Sequence, residues 1–163
     1  MNDAHLHMVV NHFPIIGTIF GLGILISGLI LKNNSVKIVA YSLFTIAALF
    51  TALSMSTGEG AEELVEDMPN IGKQIIHEHE ELAEKLALVL YAIGALSLVS
   101  IYFSIKKISL LKYTTIVTLL LAVISVFLAQ KVGTSGGEIR HTEIRANSNL
   151  PIDKAETQEA DKD

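Results

Sequence analysis

Four stretches of this chain carry no charged side chain for long enough to cross a lipid bilayer, and that property removes most of the folds open to 163 residues. Residues 9–31, 38–56, 86–105 and 113–130 contain no Asp, Glu, Lys or Arg. Each is close to the span of a helix crossing a hydrocarbon core of roughly 30 Å. A buried helix of a water-soluble protein of that length keeps charge on at least one face. Half the residues are hydrophobic, 18% are charged and the mean hydropathy is +0.48, so neither disorder nor an ordinary globular core fits most of the chain. The expectation is an all-α integral membrane domain over 1–145, with spans at about 9–31, 36–56, 82–105 and 110–131. The first stretch reads as a span and not as a cleaved leader, because no Lys or Arg precedes it and no small-residue cleavage site closes it.

Charge sets the expected orientation. Four spans put the 32–37 and 106–112 connections on one side, and these carry Lys32, Lys37, Lys106, Lys107 and Lys112 with no acid. All 17 Asp and Glu residues fall on the other side. Basic residues in short loops mark the cytoplasmic face, so both termini are expected outside, which in a bacterium is the periplasmic side.

Short cytoplasmic loops make the first and second spans neighbours, and the third and fourth, which gives an up-down-up-down four-helix bundle. Helices in lipid associate through close packing at small residues. Gly17, Gly21 and Gly28 offer such a stripe on the first span, Thr45, Ala48 and Ala52 on the second, Ala83, Ala87, Gly94 and Ser97 on the third. The fourth has Thr114, Thr118, Ala122, Ser125 and Ala129. In the outer loop 57–81, Thr57-Gly58-Glu59-Gly60 is expected to end the second helix, and 61–68 to form a short amphipathic helix stopped by Pro69. The helix of the third span is expected to start a few turns above the membrane. Gly133-Thr134-Ser135-Gly136-Gly137 reads as a flexible break after the fourth span, and the charged tail 146–163 as disordered.

The chemistry-bearing residues are six histidines: His5, His7, His12, His77, His79 and His141. All fall on the outer side. His12 precedes Phe13-Pro14, which places Pro14 in the first helical turn, where its missing N–H costs nothing. His79 lies on the stripe Ile75–His79–Leu82–Leu86, beside Ala83 and Ala87, and is expected to face the bundle. His77 points away along Glu81 and Glu84. Imidazoles at helix ends beside small residues suit a haem held by two axial ligands. They also suit a Cu or Zn site completed by carboxylate, since the chain has no Cys. Glu59, Glu81 and Glu138 are the carboxylates at hand. A single histidine is as a rule explained by a plain interfacial role, bonded to loops and lipid headgroups; His12 and His79 taken together favour the ligand reading.

His7-Met8-Val9-Val10-Asn11-His12-Phe13-Pro14-Ile15 resembles the opening of a bacterial family of small four-span membrane proteins of unknown function. Its members begin the first span with His, four intervening residues and His-Phe-Pro, carry histidine near the start of the third span, and show Gly-Gly followed by His after the last. Here those are His77 or His79, and Gly136-Gly137 with His141; Met8 stands where the family often has Pro. The resemblance covers about residues 5–145. It implies a shared scaffold and His7, His12, His79 (or His77) and His141 as a candidate site, but no activity.

The sequence therefore points to a membrane-bound electron carrier holding haem b, with His12 and His79 as axial ligands and His7 and His141 in support. The alternatives are a Cu- or Zn-handling protein using His7, His12, His79, His141 and Glu138 or Glu81, and a structural or assembly subunit with no cofactor. The expected partners are the bilayer, a redox or membrane-complex partner and further copies of the chain. An enzyme is the weaker reading: Ser54, Ser56 and Thr57 lack a Gly-x-Ser-x-Gly context, and no phosphate loop or dinucleotide fingerprint occurs. A transporter is disfavoured by charge-free spans without a mid-membrane Gly/Pro break. Nucleic acid is not an expected partner at net charge −5 with no basic face.

Overall fold

The computed structural model describes residues 2–66 and 71–145. They form α1 (Asp3–Val10), α2 (His12–Ile30), α3 (Asn34–Glu62), α4 (Lys73–Ile105) and α5 (Leu111–Arg140), followed by a 3-10 turn at Thr142–Ile144. Four helical lengths are long and apolar enough to cross a membrane: α1 with α2, then α3, α4 and α5. This is a multi-pass membrane protein. Phe20, Leu88 and Leu120 are 63%, 70% and 60% exposed on the outside of the helices, a belt that lipid tolerates and water does not.

The core is small-to-large packing between these helices. Leu25, Tyr41, Phe44, Leu90, Ile93 and Ala122 fill the centre. α2 packs on α3 and α5, α4 on α3 and α5, so that α2 and α4 sit diagonally across the bundle. Glycine sets the closest approaches. A methyl group on Gly94 would stand 2.5 Å from the Ala48 Cβ, and one on Gly21 would stand 2.7 Å from the Phe44 ring. On α2 and α3 the partners run in opposite numerical order, with Gly17 against Ala47, Gly21 against Phe44 and Gly28 against Lys37.

Both short loops are built alike. Asn33 donates its N–H to the Gly28 carbonyl at 3.0 Å, and Ile108 donates to the Phe103 carbonyl at 2.9 Å, the six-to-one bond that closes a helix end. The residue in between has positive φ and is lysine in each case, Lys32 at 49° and Lys107 at 55°. Asn33 then caps α3, its side-chain oxygen accepting from the N–H groups of Ser35 and Val36.

Two expectations about glycine fail. Thr57-Gly58-Glu59-Gly60 does not end the second helix, since α3 continues to Glu62; Gly133–Gly137 does not break the fourth, since α5 runs on to Arg140. In both places missing side chains make room for a neighbour and do not loosen the backbone: Gly60 lies against Asp3, and Gly136 against His79. Only residues 61 and 62 of the expected loop helix are helical, and they belong to α3; its end at Met68 and Pro69, and the tail 146–163, lie outside the described residues.

Candidate functional site

The histidine end of the bundle is organised by a break in the first helix. Asn2 caps α1, its side-chain oxygen accepting from the His5 N–H at 3.0 Å. Pro14 has no N–H to offer the Val10 carbonyl and its ring crowds that position, so one continuous helix across Asn11 is disfavoured. The chain turns at Asn11, and α1 packs against the far end of α3. Gly60 admits it, while Gly58 is only in ordinary contact. The His7 ring lies 3.9 Å from where a Gly58 methyl would stand, and the Asp3 carboxylate 2.5 Å from a Gly60 methyl.

His7 thereby reaches inside. Its Nδ1 lies 3.0 Å from the Ser54 carbonyl and 3.2 Å from the Thr57 hydroxyl. A carbonyl only accepts, and Thr57 already donates to the carbonyls of Leu53 and Ser54. Nδ1 therefore carries the proton, and the lone pair sits on Nε2.

His79 is held in the same way from α4. Its Nδ1 lies 2.9 Å from the Ser135 hydroxyl of α5, which itself donates to the Val132 carbonyl at 3.1 Å. The Ser135 oxygen is thus the acceptor, and the His79 lone pair is again on Nε2. Gly136 makes space for the ring, since a methyl there would be 3.0 Å from Cε1.

Both rings lie beyond the charge-free stretches. α4 has 33 residues and is about 50 Å long, well over the hydrocarbon thickness, and His79 falls in its overhang. Burial pushes the pKa of His7 below its ordinary value, against an opposing bond from Ser54. Burial lowers His79 as well, helped by the nearby His7 and opposed by the Val132 carbonyl. The rings are close enough for a charge on one to be felt by the other. Both are neutral imidazoles at pH 7, the form that binds metals.

The other candidates lie elsewhere. His12 is exposed, with Nδ1 3.0 Å from the Met8 carbonyl of its own segment. His141 is exposed, with Nδ1 2.9 Å from Glu143. His77 faces Glu80 and Glu81 at 3.9 and 3.4 Å on the outside of α4, where Glu81 also holds Lys85. His5 and Glu59 are exposed. Glu138 lines an open groove between α4 and α5 together with Glu78, Phe127 and Lys131. Among the described residues no three His, Asp or Glu side chains converge as a metal site.

No family model, curated protein or solved structure matches this chain. The site rests on geometry alone. Sequence reasoning named His7 and His79 but passed over Ser135 as part of a break, and met Thr57 only as a helix end and a hydrolase candidate. The signal for both was available: a hydroxyl beside glycine, on a helix face opposite a histidine.

Proposed function

We propose that this is a bacterial inner-membrane protein, an up-down-up-down bundle with both termini in the periplasm, that binds haem b or a transition metal between histidines at its outer end and carries electrons. His7 and His79 are its principal ligands. The observation that supports this reading is the pair of neutral imidazoles turned into one end of the bundle, each with Nδ1–H held by the protein and Nε2 left for a ligand. Ligating histidines are oriented by such second bonds.

A pair of imidazoles suits haem, which takes two axial ligands and supplies one-electron chemistry when bound. Cu or Zn needs further donors, and among the described residues no third His, Asp or Glu converges on the pair, so the metal version is the weaker one. The resemblance to the small four-span family of unknown function belongs to this proposal too. The rival is a cofactor-free assembly subunit, favoured by the lack of a three-donor cluster among the described residues.

Visible absorption of the full chain purified in mild detergent, oxidised and dithionite-reduced, decides the matter when combined with elemental analysis. A Soret band that shifts on reduction, with sharp α and β bands, or stoichiometric Cu or Zn, is the expected result. His7→Ala and His79→Ala should each lose most of the cofactor, and His12→Ala should keep it. A flat spectrum and no metal, from cells supplied with both, overturns the reading in favour of the assembly subunit.

A further inference from the structure

Ser97 of α4 and Thr118 of α5 are completely buried, and among the described residues neither hydroxyl has a hydrogen-bond partner. Several other buried hydroxyls in the bundle are satisfied within their own helices. Thr18 donates to the Pro14 carbonyl, Thr51 to Ala47 and Ser125 to Ala122. Leaving two hydroxyls unpaired in a low-dielectric interior is costly, which makes the exception informative.

The two stand level with each other. Ser100 of α4 donates to the Thr114 hydroxyl of α5 at 2.8 Å. One turn from that bond toward the histidine end, α4 presents Ser97 and α5 presents Thr118. On the lysine side lies a bonded group of hydroxyls, with Tyr41 2.7 Å from Thr115, and beyond it Asn34 donates to Ser104. Ser104, Ser100 and Ser97 occupy one buried face of α4 and reach about 10 Å inward from that end.

We propose that the α4–α5 seam binds a water molecule between the Ser97 and Thr118 hydroxyls, entering from the lysine end past Ser104 and Ser100. The ligand must be neutral, because residues 86–105 and 113–130 offer no charge to balance an ion. It must be small, and able to donate and accept at once. Water meets each condition. This site is independent of the histidine pair and of any cofactor held there.

Solid-state NMR of the full chain in phosphatidylcholine bilayers tests it through magnetisation transfer from water. Transfer to the Ser97 and Thr118 side chains should build up several-fold faster than to Ala122, one turn deeper. Equal build-up at the three sites overturns the proposal, as it would for dry hydroxyls or for two bonded directly to each other. Thr118→Val removes the hydroxyl at nearly constant shape, and transfer to Ser97 should then fall to the Ala122 level; undiminished transfer overturns the bridge. If that variant does not assemble, Ser97→Ala read at Thr118 gives the same decision.

Discussion

The His79 ring lies directly against Gly136, close enough that a methyl group there would have to push it aside by a few tenths of an ångström: it would stand 3.0 Å from Cε1 and 3.5 Å from Nδ1. Alanine in place of glycine inside a helix ordinarily stabilises by about 0.5–1 kcal/mol. At Gly133, with nothing within 4 Å, Gly133→Ala should show that gain in thermal unfolding in detergent. Gly136→Ala should not. It should displace the ring, weaken the bond to Ser135, and move the His79 imidazole NMR signals while those of His141 stay in place. A plain stability gain at both positions would mean that His79 is not held there.

Acid should loosen the histidine end. His7 and His79 both have pKa values below the ordinary 6.5 because of burial, so the unfolded chain binds more protons than the folded one once pH drops toward 6.5. Their contribution is fully present above that pH and is lost as pH falls through the lowered folded-state values. Glu80, raised from its ordinary 4.5 by burial and by Glu62 beside it, has the opposite sign. The thermal midpoint should therefore decline from pH 7 to pH 5, and His79→Gln should flatten the decline. An identical slope in wild type and variant would contradict the burial of His79.

Gly94 and Ala48 fix the spacing of α3 and α4. A methyl on Gly94 would stand 2.5 Å from the Ala48 Cβ, which has no rotamer to escape into. Gly94→Ala should cost about 1–3 kcal/mol in denaturant titration of the detergent-solubilised protein. Adding Ala48→Gly should recover most of it, because the pair is coupled. Additive losses would place the two residues out of contact.

Lys32 and Lys107 sit in the left-handed region at the two helix ends. Such a conformation costs a side-chain-bearing residue roughly 1–2 kcal/mol, part of which glycine gives back through the greater freedom of its unfolded chain. Lys32→Gly and Lys107→Gly should each raise stability by a few tenths to about 1 kcal/mol. Lys107→Ala, which removes the ammonium and keeps the strain, should not.

The spans were legible because a helix without charge on any face, over about eighteen residues or more, is stable in lipid and poorly suited to water. The buried stripe of α5 was largely legible too: of Thr114, Thr118, Ala122, Ser125 and Ala129, all but the half-buried Thr114 are buried. What stayed hidden depended on contacts between distant segments. Residues 3–10 are too short and too mixed to announce a helix, and nothing local shows that they fold over α3. Glycine misled most, because Gly60 and Gly136 read equally well as a loosened backbone or as a place for a neighbour to come close. His12 was placed at the membrane boundary beside Pro14, but nothing local shows that His7, and not His12, reaches α3. His79 was readable from its stripe; its Ser135 partner, 56 residues away, was not.

The division of those partners has a consequence for how the protein is made. His7, Ser54 and Thr57 belong to the first half of the chain, His79 and Ser135 to the second, and each imidazole is fixed wholly within its own half. Neither half contains the pair. The two imidazoles meet at the histidine end only when the hairpins dock, so a ligand of the kind proposed, bridging them, would act as a clasp on the finished bundle.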